Sequence, residues 1–227
     1  MNNLSYRIGY WSAIFLLITF IVWIISFIGI ALSSPLFQWT NLEEYLIYVR
    51  STNRYFQNTA FLFMLLCGPV YLILINSFYE YASKQNKVLV RLSMLFGLAF
   101  AITSGINYFV QLSAVRHTIE KGNFDGLEYF IQANPDSIMT STAMLGWTLF
   151  LALSSFFIVP AFRSGGLEKV LRIAFLTNGI SCFLAGIGYI LHIDVLTFLC
   201  INVGVGGSMI TISISSVKLF YKLNTQE

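Results

Sequence analysis

Six stretches of this chain are each about as long and as apolar as a helix must be to cross the hydrocarbon core of a bilayer, which takes roughly 20 residues. They run over Ile8–Leu32, Thr59–Phe78, Val88–Ser113, Ile138–Phe162, Val170–Leu191 and Val195–Val217. Inside lipid every backbone N–H and C=O needs a partner, and a helix supplies one within the segment itself. The expected fold class is therefore all-α, a polytopic membrane protein of six transmembrane helices. The loops between spans are short, so residues 1–227 are expected to form a single integral membrane helical bundle. A soluble domain carries about 25% charged residues. Here only 10% are charged, so most of the surface is expected to face lipid.

The charges that remain cluster at span ends and indicate an orientation. With a cytoplasmic amino terminus, nine basic residues (Arg7, Lys84, Lys87, Arg91, Arg163, Lys169, Arg172, Lys218, Lys222) lie inside and four (Arg50, Arg54, Arg116, Lys121) outside. That satisfies the positive-inside rule, with both termini cytoplasmic. The net charge of +3 forms no basic patch, so no nucleic-acid partner is expected. Cys67, Cys182 and Cys200 fall within spans without CxxC spacing and read as small buried hydrophobes, so no metal site and no cofactor is expected.

The first apolar run is too long for a secretory signal, whose core is 7–15 residues, and reads as a retained span. Ser12, Thr19, Ser26 and Ser33 recur along it every seven residues, a spacing suited to close helix packing. Pro35 is expected to end that helix. Thr40-Asn41-Leu42-Glu43-Glu44 then carries an N-cap with a carboxylate three residues on, predicting a short helix to about Arg50 that lies on the outer leaflet or folds over the bundle. Cys67-Gly68-Pro69 predicts a kink in the second span. Arg163-Ser164-Gly165-Gly166 and His192-Ile193-Asp194 read as tight connections, the latter forcing the last two spans into an antiparallel hairpin. Gly204, Ser208, Thr211 and Ser215 form a small-residue face, with Gly179, Ala185 and Gly186 as its expected contacts on the fifth span. Glu44-Tyr45-Leu46-Ile47 echoes Glu128-Tyr129-Phe130-Ile131 and would fit a duplicated hairpin.

On the third span, Ser104, Asn107 and Gln111 share one helical face. An amide turned toward hydrocarbon without partners costs about 2–7 kcal/mol, so this face must point inward. At similar depth the sequence places Tyr108 beside them, with Thr142 of the fourth span, Tyr189 and His192 of the fifth, and Asn202 of the sixth. These eight residues are the expected ligand-binding set, lining an outward-facing polar cavity between spans three to six. The competing expectation is that these groups simply satisfy one another as packing.

No Asp, Glu, Lys or Arg falls near the middle of a span, which disfavours proton-coupled transport. His117 and His192 lack the carboxylate or thiolate support of a metal or haem site, and the chain has no HExxH or GxSxG, so no catalytic residue is assigned. Asn107-Tyr108-Phe109-Val110-Gln111-Leu112, with Gly122, Gly126-Leu127, Gln132, Asn134-Pro135, Leu145-Gly146 and Pro160, resembles a group of uncharacterised bacterial multi-pass membrane proteins. That resemblance implies a multi-pass protein of a bacterial inner membrane, and a turn at Gln132, Asn134 and Pro135 folded back against Asn107 and Gln111. It implies no activity. The expected function is binding or transport of a small neutral or lipid-like ligand. The alternative is a membrane accessory subunit that packs, as a homo-oligomer or on a partner subunit, through its small-residue faces.

Overall fold

The computed structural model describes residues 3–34 and 37–225, so Pro35 lies outside the described residues. Six helices are long and apolar enough to cross a membrane. They are α1 (Asn3–Ser33), α3 (Tyr55–Tyr81), α4 (Lys87–Lys121), α5 (Ile138–Ala161), α6 (Gly166–Ile190) and α7 (Asp194–Thr225). A short helix, α2 (Leu42–Ser51), precedes α3. No strand occurs among the described residues.

Each span packs against its neighbours in sequence, and α1 packs against α7, so the six close into a ring. The aromatic pairs Tyr6–Phe220 and Tyr10–Tyr221 join the start of α1 to the end of α7, and Phe27–Phe198 joins their opposite ends. Both described ends of the chain thus lie at one end of the ring, called here the terminal end. Residues 37–54 and the loop 122–137 lie at the other, the loop end. Close approach of the spans depends on missing side chains. A Cβ on Gly68 would sit 2.6 Å from Cα of Ala101, and one on Gly146 would collide with Thr103 Oγ1.

The interior differs from end to end. At the terminal end Phe78 meets Phe162 and Phe220 at centroid distances of 5.0 and 5.1 Å and closes the ring with an aromatic plug. Further in, Ser93 and Ser154 exchange hydroxyl-to-carbonyl hydrogen bonds of 2.7 and 2.8 Å, and Tyr71 OH lies 3.0 Å from Ser154 Oγ. Asn178 donates to Ser155 Oγ and accepts from Ser208 Oγ, both at 2.8 Å, tying α5, α6 and α7 together.

Pro69 lies inside α3, which continues from Tyr55 to Tyr81. Several local expectations are altered elsewhere. Ser12, Thr19 and Ser26 are buried as the stripe on α1 requires, while Ser33 is exposed. Gly204 of α7 packs on Ser181 of α6, but Gly179 and Gly186 face Phe156 and Thr148 of α5 instead of α7. The two echoed segments do not fold alike: Glu44–Ile47 is part of α2, whereas Leu127–Tyr129 makes a single 3-10 turn.

Candidate ligand cavity at the loop end

Asn107 and Gln111 of α4 are 0% and 2% exposed. Lipid offers no partner for such amides, so the chain brings its own loop to them. Gln111 Nε2 donates to Phe130 O at 2.6 Å, and Gln111 Oε1 accepts from Gln132 N at 3.1 Å. One side chain therefore clamps the backbone on both sides of Ile131. Asn107 Nδ2 donates to Gln132 Oε1 at 2.9 Å, while Asn107 Oδ1 is buried and has no hydrogen-bond partner. A buried acceptor left in this state costs about 1–3 kcal/mol.

The rest of the 122–137 loop is shaped by its own polar residues. Asn134 Oδ1 accepts from Asp136 N at 3.0 Å, and its Nδ2 donates to Glu128 O at 2.9 Å, which fixes the Asn134-Pro135 turn. Ser137 caps α5 by accepting from Thr140 N at 3.0 Å, and Thr140 Oγ1 donates to Gln132 O at 2.9 Å. Tyr189 OH donates to Pro135 O at 2.6 Å, so α6 holds the same turn. Folding of Gln132, Asn134 and Pro135 back toward Asn107 and Gln111 is thus observed.

Above this loop lies α2. Asn41 caps it, accepting from Glu44 N at 2.9 Å, and Thr40 Oγ1 donates to Glu44 Oε2 at 2.5 Å. Tyr45, Leu46 and Val49 pack with Val115, Leu127 and Ile131 in an apolar cluster separate from the ring interior. Burial pushes the Tyr45 phenol above its ordinary range, with Arg54 nearby pulling the other way.

Beneath the clamped loop is a cavity of about 150 Å³. Phe20 and Trp23 of α1, Met64 of α3 and Tyr108 of α4 form one side; Thr140, Ala143, Met144 and Trp147 of α5 form another. Ile201, Val205 and Gly206 of α7 and Gln132 of the loop complete the lining, in which no charged residue takes part. Trp147 is seated edge-on against Phe100 at a centroid distance of 4.8 Å. Three spans around this level widen into π-helical turns: Gln111–Val115, Leu145–Phe150 and Leu199–Val205. A π turn inserts a residue into the helix, re-aims the side chains beyond it, and is frequent at functional sites.

Of the eight residues expected to bind ligand, Ser104, Asn107, Tyr108 and Gln111 are buried on α4 at the loop end, and Tyr108 lines the cavity itself. Ser104 bonds back to Phe100 O at 2.7 Å. The others lie apart from the cavity. Thr142 and Asn202 donate to the carbonyls of Ile138 and Phe198, four residues earlier in their own helices, each at 2.8 Å. His192 is exposed on the tight turn with a φ of 54°. Tyr189 reaches the Pro135 turn and a groove on the lipid side, not the cavity. This cavity lies elsewhere than between spans three to six: α6 supplies none of its lining residues and α1 and α3 do. The aromatic wall of Trp23, Phe20 and Trp147 went unread because apolar residues inside a span carry no mark of a cavity.

Comparisons with known proteins found no family model, no curated protein and no solved structure that matches this chain. The chain is thus defined by its own architecture, a multi-pass helical membrane protein with a roofed cavity at one end.

Proposed function

We propose that this protein binds a small neutral or lipid-like molecule in the loop-end cavity, and that this end faces away from the cytoplasm. The cavity is the observation that carries the proposal. Apolar and aromatic surface dominates its wall, with the Gln132 amide and Thr140 hydroxyl as polar points and no charge, which suits an uncharged guest. An apolar protein cavity of this size takes a guest as large as benzene, so a ring or the end of a hydrocarbon chain fits. The nine-to-four distribution of basic residues supports the orientation.

Native mass spectrometry of the detergent-purified protein tests the proposal. Wild type is expected to carry a non-covalent adduct that Ala143→Leu, which fills the cavity, no longer retains. A wild-type protein free of adduct under gentle release overturns it. The accessory-subunit alternative draws on a different surface, the lipid-facing groove of about 480 Å³ between α6 and α7 that exposes Gly207 and Thr211. A second membrane chain co-purifying with the wild type would favour that alternative.

A further inference from the structure

We infer that the cavity is reached sideways from the bilayer, by the hydrocarbon chain of a lipid that lies in a groove between α5 and α6 and passes Met144. This rests on the cavity being the ligand site. The groove measures about 320 Å³ and its walls include Leu145, Leu149, Phe183 and Ile187, with Ser141 and Tyr189 at its loop end. Met144 lines both this groove and the cavity and is the residue their walls share.

Three features favour this route. The first is that entry from the loop end is closed by hydrogen bonds: Gln111 clamps Phe130 and Gln132, and Gln132 is bound again by Asn107. The second is the nature of the shared residue. Methionine is unbranched, with three rotatable bonds, and moves aside more readily than a β-branched or aromatic residue. It also directly precedes the π turn Leu145–Phe150. The third is the polarity of the groove. Its apolar walls lie along membrane-spanning helices, and the Ser141 Oγ and Tyr189 OH pair, 3.0 Å apart, marks its loop end. Tyrosine at that level suits the interface, where the ester oxygens of a phospholipid would lie. Deeper in, a Cβ on Gly186 would come within 3.0 Å of Thr148, so the two helices meet there and the way onward is past Met144.

Trp147 provides the test, because it lines the cavity and is 7% exposed. Trp11, Trp23 and Trp39 are replaced by Phe, leaving one tryptophan, and the protein is placed in vesicles of phosphatidylcholine with dibrominated acyl chains, which quench on contact. Trp147 emission is expected to fall at least twofold relative to unbrominated vesicles. Leu145→Phe together with Ile187→Phe, which narrow the groove without touching the cavity, should restore most of it; Leu145→Phe alone should restore part. Absent quenching, or quenching indifferent to both variants, overturns the lateral route. If the adduct persists in native mass spectra in that case, cavity binding stands and only the route falls. If the adduct is missing as well, both fall.

Discussion

Asn107 and Asn178 are both 0% exposed amides on membrane-spanning helices, yet their surroundings treat them in opposite ways. Asn178 is satisfied at both ends by serines of two neighbouring spans. Asn107 is held at one end by a loop glutamine and has an unpaired carbonyl at the other. The helix that carries Asn178 is regular, and the core on its terminal side is filled with aromatic rings; the helix that carries Asn107 widens into a π turn at Gln111–Val115, and two of the spans that line the cavity widen at Leu145–Phe150 and Leu199–Val205. One amide closes a seam between helices, and the other holds Gln132, the loop residue that lines the cavity. Equal burial of the two amides therefore hides a difference that only their hydrogen bonding reveals.

The contrast can be broken most directly by removing bulk from the packed half. Phe78→Ala should cost about 3–5 kcal/mol, the range for emptying an aromatic site in a tight core, read as a lower unfolding temperature in detergent. Ala143→Leu, in the cavity half, should cost far less or stabilise the fold. Equal losses would show that the two halves are packed alike.

A smaller effect sharpens the contrast between the amides themselves. Asn178→Ala removes two interhelical hydrogen bonds, each worth about 0.6 kcal/mol on average in a membrane and at most about 1.7. It should destabilise by about 1–3 kcal/mol, and Asn107→Ala by less, because the unpaired carbonyl leaves with it. The order would be reversed if Asn107 were the structural residue of the pair.

The smallest effect concerns pH and the α2 cap. Burial favours the neutral phenol of Tyr45 in the docked state, so its pKa is raised on folding. Docking should be undiminished below the ordinary tyrosine range near 10, and should weaken only as pH rises through the raised value. Trp39, whose ring lies 5.8 Å from that of Tyr45, reports this through its emission, and Tyr45→Phe should make the response flat.

The spans were legible because length and composition alone specify them, and the inward turn of Asn107 and Gln111 followed from the lack of any partner in lipid. The α2 cap was legible from Asn41 and Glu44. Other features left no mark. Hydrogen bonds five residues apart have no sequence signature, so the π turns were invisible, and with them the displacement of Trp147 into the cavity wall. Thr142 and Asn202 misled because their own helix carbonyls accept their donors, a local outlet that removes the need for a neighbour. Small-residue spacing told that Gly179 and Gly186 allow close contact but not which helix makes it.

The order of neighbours around the ring has a consequence for biogenesis. Five of the six contacts join helices consecutive in the chain and can form as each pair emerges, whereas the seam between α1 and α7 waits for the final segment. Until then Gly9, against which the Phe220 ring is pressed in the finished protein, has nothing to receive. A nascent chain halted before its last crossing would hold a half-open wall toward the lipid, a state that a quality-control protease could distinguish from the closed form.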